Sequence, residues 1–323
     1  MSQSSLHLVL GTGQVGPQVA RELLAGGHRV RMGRRSAGPS RVPGVETVSL
    51  DVRDADAVAR AAEGAAVVYN CVNPLYTDWP KMLVPMTRGI VEGTQRAGAK
   101  LVALDCLYMY GDTRHMSEAS AMAPVSKKGA LRVQSAEILL EADAQGGAGV
   151  AIGRAADFFG PETPLALFGE QLWQRVLAGK SAQVFGDPDQ VHSYSYTPDV
   201  ARGLVALGTS DARGVWMLPV QPAETTRALI ARFSRALGQE IRISPVPTWL
   251  LRGLGLFQPV LGEIAEMTYQ WQQPYVLDDS RFRSAFGLTP TPWDIAVTET
   301  LRWARATYGQ PSANRASAAA SLV

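Results

Sequence analysis

Apolar residues open this chain in a short block, Leu6–Leu10 (LHLVL), and thin out over three glycines. They return from Val15 to Leu24 at the three-and-four spacing of one helical face, and a second block follows at His28–Met32. The succession predicts strand, tight turn, helix, strand. The alternation continues, with strands expected at Val45–Leu50, Ala66–Cys71, Lys100–Leu104 and Gly149–Gly153. Helices are expected up to Ala62, over Met82–Ala97 with Pro85 near its start, and over Lys128–Ala144. Strands and helices alternating at this spacing describe an α/β fold built on a doubly wound parallel sheet.

From Phe158 the rhythm changes. FFGPETP reads as a loop, Leu165–Leu177 as a helix, and Gly186-Asp187-Pro188-Asp189 as a turn. A helix over Pro198–Leu207 capped by Thr197, a strand at Gly214–Leu218, and helices near Thr225–Leu237 and Ile295–Ala306 follow. The expected organisation is a sheet domain over residues 5–157, to which 190–222 return. Residues 158–310 then form mostly a smaller substrate-binding domain, and 311–323, small and polar, a flexible tail.

Composition narrows the class. At 46% hydrophobic and 19% charged, the 323 residues are globular material with room for a sizeable core. Lys and Arg total 31 against 29 for Asp and Glu, a balance that argues against nucleic acid as main partner. The two cysteines, Cys71 and Cys106, lie in apolar runs, as buried free thiols of a reducing compartment do, and with four histidines they show no metal-ligand spacing. The first apolar run breaks at Gly11, too early for a secretory signal, and no run approaches a membrane span. The expectation is a cytoplasmic protein with a small-molecule substrate, no membrane or nucleic-acid partner, and a homodimer as the simplest assembly.

The glycines carry the first chemistry. Gly11, Gly13 and Gly16 form G-x-G-x-x-G between a strand and a helix, with Gln14 and Val15 inside the turn. Such glycines give a tight turn, close backbone approach to a pyrophosphate, and close helix–strand packing. The helix start adds free N–H groups and its dipole. A dinucleotide site is therefore expected. An NAD binder places an acid at the end of the second strand, but between Pro17 and Val45 the only acid is Glu22, within the helix. The strand ends instead in Arg31-Met32-Gly33-Arg34-Arg35-Ser36. Arg34 and Arg35 suit a 2′-phosphate, so NADP(H) is expected over NAD(H). Asp51, followed by Val52, stands where it can bond an adenine amino group or cap a helix, and Val72-Asn73-Pro74 would line the same crevice.

The chain resembles the extended short-chain dehydrogenase/reductases, the epimerase/dehydratase-like group, from about Leu6 to Arg305. Beside the glycine turn, LDCLYMYG (Leu104–Gly111) resembles the family's S-S-x-x-V-Y-G, and GRAADFFGP (Gly153–Pro161) its R-x-x-x-x-[YF]-G-P. GDPDQVHSYSYTPDVARG (Gly186–Gly203) and LDDSRFRSAFGLTPTPW (Leu277–Trp293) resemble two later segments. The resemblance implies a Rossmann sheet, a nicotinamide cofactor and a smaller C-terminal domain that closes over it.

The departures fall at the reacting end. Aligning PVSKKGALRVQSAEILL with the family's proton-transfer helix puts Lys128 where the family has its Tyr and Arg132 where it has its Lys; the family serine falls at Cys106. The trio thus reads Cys106, Lys128, Arg132, akin to atypical members in which a lysine stands in for the tyrosine. A lysine in a dry site beside a guanidinium would have its charged form disfavoured and could exchange protons. Against this stands the plain reading of two solvated cations on a helix face. Arg132 is the better candidate for holding the nicotinamide ribose or a phosphate. Tyr108 is a candidate for the missing phenol or a packing residue of the crevice, Cys106 a packing residue rather than a nucleophile, and Asp105 an acid to bond a substrate, orient a cation or bond nearby N–H groups. His192 takes the place of an arginine that grips the diphosphate in sugar-nucleotide members. Trp249, Phe257, Trp271 and Tyr275 would line the closing domain or fill its core.

The leading expectation is an NADPH-dependent oxidoreductase acting on a small, partly apolar carbonyl, imine or alkene. A nucleotide-binding sensor or scaffold without turnover, and an epimerase or dehydratase with tightly held NAD, are the alternatives.

Overall fold

A computed structural model describes residues 4–36, 38 and 40–309; the tail expected at 311–323 lies outside them. Seven strands, β1 (Leu6–Leu10), β2 (Arg29–Arg34), β3 (Glu46–Ser49), β4 (Ala65–Asn70), β5 (Lys100–Asp105), β6 (Val150–Arg154) and β7 (Gly214–Met217), form one sheet. Their order is β7-β6-β5-β4-β1-β2-β3, with every pair parallel. The order reverses between β1 and β4, which opens a crevice at the carboxyl ends of those two strands.

Both faces are covered, which is why the strands read as apolar runs rather than alternating ones. On one face lie α1 (Gly16–Ala25) and α6 (Thr197–Gly208), through Val19, Leu23, Val200 and Leu204. On the other lie α2 (Ala55–Ala61), α3 (Trp79–Arg96) and α4 (Lys127–Ala144), through Val58, Ile90 and Leu139. Gly93 lets α3 rest directly on α2: a β-carbon there would sit 2.5 Å from that of Val58.

The second unit gathers around Phe159, Phe168, Trp173, Tyr194 and Phe233. It contains α5 (Glu170–Leu177), α7 (Thr226–Leu237), α8 (Thr248–Gly255), α9 (Pro259–Met267) and α11 (Trp293–Tyr308), while α10 (Ser280–Phe286) packs Phe282 back onto the sheet domain. Two-stranded parallel pairs, Asp157–Phe159 with Tyr194–Tyr196 and Ala182–Phe185 with Ile243–Val246, stitch it together.

Three boundaries differ from expectation for local reasons. Residues Leu165–Gly169 are not helical; α5 starts after Gly169, whose α-carbon is crowded by the Pro164 carbonyl, 2.4 Å from where a β-carbon would stand. Helix α3 begins at Trp79 rather than Met82, with Pro80 in its first turn and Pro85 tolerated inside on an exposed position. Thr197 does not cap α6; it is the first helical residue after Tyr196, and its hydroxyl accepts from Gln18.

Candidate functional site

The glycine turn leaves β1 at the switch point. Gly11 has φ +102°, and a β-carbon on it would meet the Cys71 carbonyl, just past β4, at 2.9 Å. Gly16 fits against Gly11 so closely that a β-carbon would stand 1.9 Å from the Gly11 carbonyl oxygen. Gly13 is the opposite: a β-carbon there meets nothing within 4 Å. Gly11 and Gly16 build the turn, while Gly13 keeps its outer side open. No side chain caps α1 and no acid occupies its first turn, whereas Pro17 sits there and needs no N–H partner. An uncapped, acid-free helix start beside an open glycine is chemistry that fits a pyrophosphate. Val15 is buried beneath it. The Gln14 side chain is engaged by the Leu165 N–H (2.8 Å), and Gln18 donates to the Pro161 carbonyl (3.0 Å), so the loop after β6 leans on the turn.

Strand β2 runs two residues past the expected Met32, to Arg34. Arg35 follows, exposed, its carbonyl accepting from the Ser49 hydroxyl at 3.0 Å. Asp51 is not a helix cap: Asp54 caps α2, accepting from the N–H groups of Asp56 and Ala57. Asp51 instead accepts from the Arg53 backbone N–H (2.9 Å) and from its guanidinium (3.0 Å), which hold its carboxyl below the usual range. The exposed pair with Arg53 orients this carboxylate at the carboxyl edge of the sheet. The Val52 carbonyl backs onto Gly89 of α3.

At the carboxyl ends of β4 and β5 the side chains form one network. Arg132 donates to Asn73 Oδ1 (2.7 Å) and reaches Asp105 (3.4 Å), with its guanidinium 4.3 Å over the Trp79 ring. Asp105, buried, also receives Arg154 (3.3 Å) and the Cys106 N–H (2.9 Å). Of the roles read for Asp105, orienting a cation and bonding a nearby N–H are both present. Arg154 also donates to the Tyr110 hydroxyl. Val72, Asp105, Arg132 and Ser135 wall a pocket of about 20 Å³, the size of a water rather than a ligand. The sequence held no sign that Arg154 joins this cluster.

Lys128 and Arg132 diverge. Lys128 is 2% exposed, and its ammonium is ion-paired to Glu263 and to Glu266 (3.0 Å), both on α9. The environment expected from sequence, a lysine beside a guanidinium, is replaced by one beside two carboxylates. Neither cation is solvated. Lys128 Nζ stands 5.2 Å from the centre of the Tyr76 ring, and the Tyr76 hydroxyl is hydrogen-bonded to that of Tyr108 at 2.6 Å. Burial raises the Tyr108 phenol well above its ordinary range, so it stands protonated. Burial likewise pushes the Cys106 thiol up to about 12, too high to be a nucleophile at neutral pH.

His192 is fully buried. Its Nε2 faces Asp157 at 2.7 Å, its Nδ1 faces the Gln270 carbonyl at 3.2 Å, and it stacks on Trp271 and Tyr275. Of the four aromatics expected to line or fill the closing domain, Trp271 and Tyr275 are core, while Trp249 and Phe257 face outward. Among the described residues no cluster suits a metal ion, and no helix is long and apolar enough to cross a membrane.

A glycine turn at the switch point of a doubly wound parallel sheet, with a smaller C-terminal unit against its carboxyl edge, is the architecture of the extended short-chain dehydrogenase/reductases. The chain belongs to the NAD-dependent epimerase/dehydratase family, whose model matches residues 7–216. Among solved structures it is similar to UDP-glucuronic acid 4-epimerase from Bacillus cereus in complex with UDP-glucuronic acid and NAD (17% identity, TM-score 0.77, 94% of this chain and 100% of that one). It is also similar to MoeE5 in complex with UDP-glucuronic acid and NAD (19%, 0.77, 93% and 99%). A third is DesIV, the dTDP-glucose 4,6-dehydratase from Streptomyces venezuelae, with NAD and TYD bound (20%, 0.75, 96% and 98%). At these identities the likeness speaks for the fold alone. No curated protein sequence matches the chain.

Proposed function

We propose that the chain is an NADPH-dependent oxidoreductase acting on a small, partly apolar substrate. The observation that carries this reading is the end of β2, which closes on Arg34 and Arg35 and offers no acid, while the nearby Asp51 is already paired to Arg53. Paired guanidiniums favour a ribose 2′-phosphate, and a 2′-hydroxyl would want the missing carboxylate.

Gly11, Gly13 and Gly16, with the backbone of Gln14 and Val15, would hold the pyrophosphate. Arg34 and Arg35 would hold the 2′-phosphate, Val52 and Val72 flank the crevice, and Arg132, oriented by Asn73 and Asp105, serves the nicotinamide end. The bound dinucleotide supplies hydride chemistry. The protein's part is the proton. Tyr108, which holds its proton and is hydrogen-bonded to Tyr76, would pass that proton to the oxyanion left by hydride addition, a stronger base than the phenolate it leaves behind. Lys128 holds α9 beside that phenol pair through Glu263 and Glu266.

NADPH should bind at least about tenfold more tightly than NADH, a difference of about 1.4 kcal/mol. Titration calorimetry checks this, and Arg34→Asp should remove the preference while sparing NADH. Oxidation of NADPH across a panel of carbonyl compounds tests turnover. The second reading, an epimerase with tightly held NAD, is favoured by the NAD in the similar structures. It is opposed by Lys128 at the tyrosine's place and by the burial of His192. Release of stoichiometric NAD on denaturation would decide for it.

A further inference from the structure

Outward-facing bulky apolar side chains are concentrated in one place. Trp249 (73% exposed), Leu250, Leu254, Leu256 (84%), Phe257 (85%) and Val260 all lie on α8, α9 and the turn between them. The two helices are held together by their glycines, since a β-carbon on Gly255 would stand 2.7 Å from the Gly262 α-carbon. The result is a two-helix hairpin whose turn presents Leu256 and Phe257 nearly clear of the body. Leu75 (65% exposed) adjoins the turn Tyr76–Asp78 on which α9 packs, so it extends the apolar surface toward the phenol pair.

Charge on the hairpin is one-sided. From Thr248 to Gly262 the hairpin has no acid, and its one charge is Arg252, exposed. The acids that follow, Glu263 and Glu266, turn inward onto Lys128. What faces outward is thus apolar bulk at the tip with a tryptophan and a cation beside it. A bilayer surface matches that arrangement: acyl chains take Leu256 and Phe257, the interface takes the Trp249 ring, and an anionic headgroup takes Arg252.

We infer that the α8–α9 hairpin docks the protein peripherally on an anionic lipid bilayer. This departs from the expectation of no membrane partner and does not depend on the function proposed above.

Sedimentation of the full chain with vesicles tests it, using phosphatidylcholine alone and phosphatidylcholine mixed with phosphatidylglycerol. The mixed vesicles should carry the protein down, and Leu256→Asp with Phe257→Asp should weaken that binding at least about tenfold. Arg252→Gln should reduce binding to mixed vesicles toward that for phosphatidylcholine alone. All these side chains are exposed, so thermal melting of the variants should match the parent. Failure to sediment with mixed vesicles, or undiminished binding by the double variant, would overturn the inference. Equal binding to both vesicle types would overturn its electrostatic part. A dimer in sedimentation velocity that the double variant dissolves, without vesicle binding, would assign the hairpin to a second copy instead.

Discussion

The two edges of the central sheet hold their charges in opposite ways. Toward the amino edge, cations close the ends of helices. Arg31 donates to the Ala61 carbonyl at the end of α2 (2.6 Å). Lys100 donates to the Leu207 and Ser210 carbonyls at the end of α6 (2.7 and 2.6 Å), and Arg213 to the Asp143 carbonyl in the last turn of α4 (2.7 Å). Each takes carbonyls in or just past a helix's last turn and sits at the negative end of its dipole. At the carboxyl edge the helix starts are treated unequally. Asp54 caps α2 and Ser126 caps α4 through their side chains, whereas α1, α3 and α6 have no side-chain cap. The parallel βα repeat delivers every helix start to one edge. Of the uncapped starts, α1 is the one that follows the glycine turn at the switch point, and that combination turns a structural edge into a binding edge.

The most severe way to break that contrast is within the glycine turn. Gly16→Val puts side chain into the Gly11 carbonyl, so both stability and binding should fail, with a loss of about 3 kcal/mol from overpacking. Gly13→Val meets no protein atom within 4 Å, so its melting temperature should stay near the parent's. Its dinucleotide affinity should nonetheless fall by about a hundredfold or more, about 2.7 kcal/mol. Melting and calorimetry on the pair separate the turn's structural glycine from its binding one. Normal cofactor binding by Gly13→Val would move the site elsewhere.

A smaller effect is expected where α4 meets α9. Removing the ammonium in Lys128→Met leaves Glu263 and Glu266 without their cation in a half-buried junction. Urea unfolding should show a loss of about 1–3 kcal/mol, the cost of polar groups left unpaired. A lysine serving only as a proton carrier would leave stability unchanged. Glu263→Gln with Glu266→Gln should loosen the same junction while leaving calorimetric NADPH affinity intact, since neither acid is among the residues proposed to hold the dinucleotide.

The sheet and its glycine turn were legible in the sequence because their signals are local. Leu6–Leu10, the G-x-G-x-x-G spacing and Val15–Leu24 each say what they are within one element, and the observed strands fall within two residues of those read. The end of β2 was legible in kind, through Arg34 and Arg35. What failed to show were pairings that span the chain. Lys128 finds its partners at Glu263 and Glu266, and Asp105 one of its at Arg154. The Glu263 and Glu266 spacing, three apart behind Pro259, was a usable sign of a helix with one acidic face. Helices α8 and α9 escaped because that stretch is apolar on its outer side, so the usual contrast between buried and exposed faces is missing. Tyr76 escaped because its partner, Tyr108, lies on the next strand's loop.

The mildest test returns to the amino edge, where His7 of β1 lies buried between the rings of His28 (4.4 Å) and Tyr69 (5.8 Å). Its Nε2 is hydrogen-bonded to the Ser5 hydroxyl at 2.8 Å, while its Nδ1 is buried without a partner. Burial first, and then the neighbouring His28, lower its pKa from 6.5 to about 4. The folded chain therefore resists the proton that an unfolded chain accepts. Above pH 6.5 both states hold the ring neutral and stability is at its full value. As pH falls from 6.5 toward about 4 the unfolded state binds the extra proton and stability declines, by at most about 1.4 kcal/mol per pH unit. Carboxylates titrate in the same range, so the measured quantity is the difference between the parent and His7→Gln in urea unfolding at neutral and mildly acidic pH. The variant should be less stable at neutral pH, through poorer packing, and should lose less on acidification. Parallel declines in the two proteins would mean that the ring takes up its proton without unfolding, and that this edge is less closed than its hydrogen bonds indicate.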